Sequence, residues 1–232
     1  ALNHDMILKD ASAYNLQFVD GTWKLIDTLS FETYEEGTPW VAYKQFCQHF
    51  LAPLALMAKR DLRLNLMSRL FIDGIPLDVA AKLLPFGTKL NFGLMTHIHL
   101  HARTQARYAG KEVKQEEVKG KISQQALIGL LDSLRNTVKG LSVKTTGTEW
   151  AEYYDITNYS ETAFDEKKAI IGRFVDKVQP DEVWDLGANN GEFSRIASDR
   201  GIFTVAFDID ANAISKAYIG VRKSRETNLL PL

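Results

Sequence analysis

Apolar and polar positions alternate with a period of two near the start of the chain. Met6-Ile7-Leu8 approaches as a short strand, and two further alternating runs, Leu16 to Val19 and Thr22 to Ile26, flank Asp20-Gly21. Asp-Gly between such runs predicts a hairpin, because both central positions of a type I′ turn need positive φ. From Pro39 to about Gly140 the spacing turns helical. A run through Phe46, Phe50, Leu51, Leu54 and Leu56 predicts a core-facing helix pair, with Pro53 bending or dividing it. Gly74 to Asp78 marks a turn before a short helix at Val79 to Leu84, and Pro85-Phe86-Gly87 breaks the pattern again. Lys111 to Lys121 is charged and poor in apolar residues, so it reads as a solvated loop. Ser123 to Lys139 predicts an amphipathic helix carrying Leu127, Leu130, Leu131, Leu134 and Val138 on one face.

Leu141 to Thr148 is rich in small polar residues and reads as the main boundary. Beyond it, a helix is expected from about Thr162 to Val178, capped by Ser160, with Ala169, Ile170, Phe174, Val175 and Val178 on its buried face. Gln179-Pro180 stops it. The next pattern is a strand at Val183 to Leu186, a turn at Gly187 to Gly191, a helix at Glu192 to Asp199, a strand at Ile202 to Phe207 and a helix at Ala211 to Arg222. That is a βαβ unit, so the fold class is α/β. Three stretches result: a hairpin segment over 1–38, a mostly helical region over 39–148 and the βαβ domain over 149–232. A third strand should begin at Asn228 to Leu232, where the sequence stops. Two parallel strands alone would leave a long unpaired edge. The chain is therefore expected to be a fragment, truncated within this domain, or to complete its sheet with a partner or swapped chain. Pairing of the sheet edge would make it a homo-oligomer.

Composition narrows this picture only a little. At 232 residues, with 45% hydrophobic and 25% charged positions, the chain has room for one large or two small cores. No run approaches the roughly 20 apolar residues of a membrane span, so no membrane partner is expected. A formal net charge of −1 gives no electrostatic reason to expect nucleic acid. A single Cys47 excludes an internal disulfide and suits a reducing, cytoplasmic setting. Its place on the apolar side of a helix makes it core.

The candidate chemistry concentrates in the βαβ unit. Asp185 precedes Gly187, and Asp208 ends the second strand 23 residues later (208 − 185). Gly187 lets backbone approach a ligand, Gly191 permits close packing as the helix begins, and the turn presents N–H groups to a polar ligand. Asp208 stands about where an acid accepts hydrogen bonds from ribose hydroxyls. A dinucleotide turn would read Gly-x-Gly-x-x-Gly, whereas Asp185-x-Gly187-x-Asn189-x-Gly191 puts an acid before the first glycine. Such an acid repels a pyrophosphate but accepts from an ammonium group, which favours S-adenosylmethionine over NAD.

This stretch resembles motif I of class I S-adenosylmethionine-dependent methyltransferases, with Asn189 in place of the usual middle glycine. The whole chain further resembles the nodulation protein NoeA-like methyltransferases. The likeness is carried by the Leu-Lys-Asp-Ala-Ser-x-Tyr-Asn opening, the segments from Pro39-Trp40 to Pro53-Leu54, and Trp184 through Ser194. It implies a Rossmann-like methyltransferase half-sheet at the C-terminal end and methyl transfer to an unidentified acceptor. Asp185, Gly187, Ala188, Asn189, Gly191 and Phe193 would line the methionine and ribose side, with Asp208 and Ile209 at ribose and adenine. Methyl transfer asks mainly for in-line positioning of the acceptor, so no catalytic residue is assigned.

Two other stretches compete. Asp10, Asn15, a hairpin and then Asp27 follow the order found in protein kinases and small-molecule phosphotransferases, where the first Asp takes the acceptor proton and the Asn and second Asp hold magnesium. Leu8 stands where that pattern expects a His, and Thr28 follows Asp27 in place of Phe-Gly. The alternative function is thus a kinase-like phosphotransferase or nucleotide-binding remnant using Asp10, Asn15 and Asp27; a second alternative is a noncatalytic scaffold built on the helical middle. His97, His99 and His101 would share a face on a strand and could bind zinc there. Flanking Arg103, Gln105 and Arg107 favour a helix, which fans them around the axis and leaves no metal site.

Overall fold

Met6–Leu8 (β1) pairs antiparallel with Phe31–Thr33 (β4), Ile7 lying opposite Glu32. Leu16–Val19 (β2) and Thr22–Leu25 (β3) form a second two-stranded sheet. The computed structural model describes residues 1–19, 22–108, 122–143 and 160–232, so the Asp20-Gly21 turn, the Lys111 to Lys121 stretch and most of the Leu141 to Thr148 boundary lie outside the described residues. The chain is mixed α/β and divides into two units. Unit 1 comprises Ala1–Gln17 and Lys24–Val143, and unit 2 comprises Phe18–Trp23 and Lys144–Leu232.

Unit 1 is organised around one helical rod. Tyr43–Phe46 (α1), a π-helical turn at Cys47–Leu51 and Ala52–Lys59 (α2) follow one another without a break. Pro53 does not divide this run. Pro53 sits in the first turn of α2, where a π turn precedes it. The wider turn takes up the missing N–H and gives the ring room. Met67–Leu70 (α3), Leu77–Leu83 (α4), Phe92–Leu94 (α5), a second π turn at Met95–Leu100, His101–Tyr108 (α6) and Gln124–Lys139 (α7) pack around it. Cys47, Leu51, Leu56, Ile75, Leu94 and Ile98 are completely buried. Each of the large side chains contributes about 1.5–3 kcal/mol by leaving water. A Cβ on Gly93 would stand 1.9 Å from Thr137 Oγ1, so glycine is what allows α5 and α7 to meet. Ser123 caps α7 by accepting from Ala126 N at 3.2 Å. Leu127 and Leu134 of the predicted face are buried there, with Leu130, Leu131 and Val138 packed beside them.

Unit 2 begins with Glu161–Val178 (α8). Ser160 Oγ accepts from Ala163 N at 3.2 Å, and Gln179, in the left-handed region at φ 46°, closes the helix with its N–H on Val175 O. Glu182–Leu186 (β5), Arg195–Ser198 (α9), Phe203–Phe207 (β6), Ala211–Ser224 (α10) and Leu229–Pro231 (β7) follow. The three strands are parallel in the order β5-β6-β7. Two expectations are revised here. The third strand expected to begin at Asn228 to Leu232 is formed, so the sheet has three strands and not two, with Thr204 opposite Leu229 and Leu232 N donating to Ala206 O at 2.9 Å. The helix expected over Glu192 to Asp199 shortens to α9, since turns occupy its first residues.

A third correction concerns α8. Of the face predicted to be buried, Ala169 is exposed, as are Ile170, Phe174 and Val178, while Val175 is half-buried. The helix carries a second stripe, Phe164, Lys168, Ile171, Gly172 and Val175, and that one packs. Gly172 on this stripe is buried, and a Cβ there would lie 3.9 Å from Ile196 Cγ2 of α9. The two faces of the sheet differ. Ala206 and Leu229 bury against Val221 of α10 and Ala188, whereas on the other face Val205 is buried but Trp184 (65%), Leu186 (77%) and Phe203 (40%) stay exposed. No helix among the described residues is long and apolar enough to cross a membrane.

Candidate functional site

β5 delivers Asp185 to its C-terminal end, and the chain then turns back over the sheet. Gly187 N and Ala188 N both donate to Phe207 O at 2.9 Å, tying the turn to the end of β6. Gly187 (φ 90°), Asn189 (φ 51°) and Gly191 (φ 83°) all take left-handed backbone. At the middle of the three, asparagine is the residue that tolerates this region best after glycine. The departure from a glycine motif at position 189 therefore has a backbone explanation. Nothing lies within 4 Å of a Cβ built on Gly187, so the backbone faces open space there.

Asp208 follows β6 directly. Its Oδ2 accepts from Asn189 N at 2.7 Å and its Oδ1 from Asp210 N at 2.8 Å. A carboxylate has about four lone-pair sites, so acceptor capacity remains after these two bonds. Asp210 in turn caps α10 by accepting from Asn212 N at 2.8 Å. Asp185 Oδ2 accepts from the hydroxyl of Ser194, which is 2% exposed, at 2.6 Å. Ile209, next to Asp208, is fully exposed. Two acids and an apolar side chain thus stand at the carboxyl ends of neighbouring parallel strands, where ligands of open α/β sheets bind.

Not every predicted residue joins them. Ala188 reaches the turn by its backbone, but its methyl group is buried in the core with Ala206 and Leu229. Phe193 turns toward α8, its ring 5.3 Å from that of Phe164 and Lys167 Nζ 4.0 Å from its centroid. Conversely, Ser194, Arg195 and Glu226 hold the turn without having been singled out. Ser194 follows the last glycine closely enough for its position to hint at a role. Arg195 and Glu226 are 31 residues apart, and no sequence period links them.

The competing acids form a network of another kind. Asp10 Oδ1 accepts from Ser12 N at 3.0 Å and from Gln45 Nε2 at 2.7 Å. Burial works against the Asp10 carboxylate, but the hydrogen bonds from Gln45, Asn15 and Ser12 hold its pKa below the usual range. Asn15 Nδ2 donates to Ser30 Oγ at 2.7 Å, and Ser30, 1% exposed, donates to Asp27 Oδ2 at 2.8 Å. Asp27 Oδ1 also accepts from Leu29 N at 2.9 Å. The three residues meet, largely through backbone and neutral partners that lock the turns around β1 and β4.

The three histidines lie on helical backbone. His97 bridges Tyr43 OH and Ser133 Oγ at 2.8 Å each; His99 Nε2 meets Thr88 Oγ1 at 2.9 Å; His101 stacks on Tyr43 with centroids 4.7 Å apart. Because Thr88 Oγ1 donates to Pro85 O at 2.6 Å, it accepts from His99, which fixes the Nε2–H tautomer. Burial pushes all three imidazole pKa values down and pushes the Cys47 thiol up to about 12. Among the described residues no group of three His, Cys, Asp or Glu is arranged to hold a metal ion.

No family model and no solved structure matches the chain. The chain is similar over its whole length to nodulation protein NoeA of Rhizobium meliloti (strain 1021), at 31% identity over 236 residues, covering 100% of this chain and 49% of that protein. It spans about half the length of the curated relative it matches.

Proposed function

We propose that unit 2 binds S-adenosylmethionine and serves a methyltransferase. The observation that carries this reading is the pairing of Asp185 and Asp208 at adjacent strand ends beside the open backbone of Gly187. One acid would accept from the ammonium of the methionine part and the other from the ribose hydroxyls; exposed Ile209 would cover adenine. Neither acid is followed by a cradle of unused backbone N–H groups of the kind a pyrophosphate needs, because the first two of the turn are spent on Phe207 O. Bound there, the cofactor supplies an activated methyl group on a sulfonium. The chain's own part is to orient it: Ser194 holds the Asp185 carboxylate, and Asn189 N holds that of Asp208. The acceptor is a small molecule, glycan or macromolecule whose nucleophile must approach in line with the sulfonium. As the chain spans half of its relative, turnover by the whole protein belongs to this proposal as well.

Calorimetric titration with S-adenosylmethionine and with S-adenosylhomocysteine tests it. Binding that is lost in Asp208→Ala supports the reading, and absence of binding to both ligands removes it.

A second reading, phosphotransfer or residual nucleotide binding in unit 1, draws on the meeting of Asp10, Asn15 and Asp27 through Ser30. Magnesium–ATP binding that disappears in Asp27→Ala would put it first.

A further inference from the structure

The Asn190–Gly191 peptide is gripped from both sides. Its N–H donates to Ala188 O at 2.9 Å, and its carbonyl accepts from Arg195 Nη1 at 2.9 Å. The backbone N–H of the same Arg195 reaches the next carbonyl, Gly191 O, at 3.1 Å. The guanidinium is anchored in turn: Nε donates to Glu226 Oε1 at 3.2 Å and Oε2 at 3.1 Å, with the two side chains only 25% and 19% exposed. Space for it is built in on α10, since a Cβ on Gly220 would stand 3.2 Å from Arg195 Nη2.

Such a grip has a physical purpose. Glycine visits both hands of backbone freely, so a peptide that precedes Gly191 can rotate between two orientations at little steric cost. Rotation would carry the carbonyl to the side where the N–H now lies and distort the turn between Asn189 and Gly191. Hydrogen bonds from a charged group are among the strong ones, and a guanidinium pinned by a carboxylate gives up little freedom in making them.

We propose that Arg195, held by Glu226, is a positioning residue that locks the Asn190–Gly191 peptide and thereby sets the turn for its ligand. This rests on the cofactor reading above for the identity of the ligand, while the lock itself is a property of the turn alone.

Two readouts test it on Arg195→Ala, Arg195→Lys and Glu226→Gln. In relaxation-dispersion spectra of the ligand-free protein, the Gly191 amide gains microsecond–millisecond exchange in all three variants and lacks it in the wild type. In calorimetry with S-adenosylhomocysteine, the dissociation constant rises roughly tenfold in Arg195→Ala and Arg195→Lys, because lysine keeps the charge but loses the fork, and about threefold in Glu226→Gln. A Gly191 amide without exchange in Arg195→Ala, or an affinity within about twofold of wild type, overturns the proposal. Should Arg195→Ala not fold, Glu226→Gln carries both readouts. Should the wild type bind no S-adenosylhomocysteine, the cofactor reading falls and the Gly191 exchange alone decides the lock.

Discussion

Both units bury polar side chains, but they do so to different ends. In unit 1, His97, His99, Thr88 and Ser30 lie inside or against a closed apolar core and spend their hydrogen bonds on neighbouring side chains or nearby backbone. In unit 2, Asn189, Ser194 and the half-buried Asp185 and Asp208 gather at strand ends where the backbone of Gly187 meets open space, while Trp184 and Leu186 of β5 stay exposed. Polar burial in the first case specifies packing. In the second it holds a turn and two carboxylates in place at the strand ends, where the proposed cofactor would sit.

Truncation in the closed core should produce the largest effect. Leu56→Ala is expected to cost unit 1 about 2–5 kcal/mol in urea unfolding, because a fully buried leucine leaves a cavity. A cost below that range would mean that the core is looser than it looks. Asp208→Ala ranks next: it strips partners from Asn189 N and Asp210 N and should destabilise unit 2 by about 1–3 kcal/mol while abolishing ligand binding. Ser194→Ala is expected to cost about 1 kcal/mol and to weaken ligand binding, with isothermal calorimetry separating the two.

Acid should divide the units without any substitution. All five histidines, His4, His49, His97, His99 and His101, belong to unit 1, and unit 2 has none. Burial lowers the folded pKa of His97, His99 and His101 below the ordinary 6.5, with His101 beside His97, Lys89 and Arg103 beside His99, and Lys44 beside His101 adding to the effect. The unfolded chain therefore takes up protons first as pH falls. Their contribution is complete above pH 6.5 and is lost progressively below it. Hydrogen exchange at pH 7.5 and 5.5 should show protection falling in unit 1 and holding in unit 2; a parallel loss in both would break the comparison. The smallest effect belongs to the exposed face of β5, where Leu186→Ala should stay within about 0.5 kcal/mol. A larger cost would mean that this face is covered in solution.

How much of this could be read from residues alone follows the range of the interactions. The βαβ order, the acids at the ends of β5 and β6, the Ser160 cap and the helical placement of the histidines depend on periods and neighbours that sequence displays. β4 went unrecognised because three residues make no period, and the π turns because their extra residue is invisible to a helical template. The packed face of α8 differs from the expected one for another reason: the helix carries two apolar stripes, and the buried Gly172 adds nothing to a hydrophobic count. Arg195 and Glu226 pair across 31 residues, beyond any local signal. The left-handed Asn189 marks the opposite case, a departure from a motif that the backbone itself accounts for.

The central claim is that the turn between β5 and β6 takes an adenosyl cofactor, and titration calorimetry of the chain with S-adenosylhomocysteine addresses it most directly. The account predicts saturable one-to-one binding in the wild type that Asp208→Ala abolishes. No binding in the wild type, or binding that survives Asp208→Ala unchanged, would contradict it.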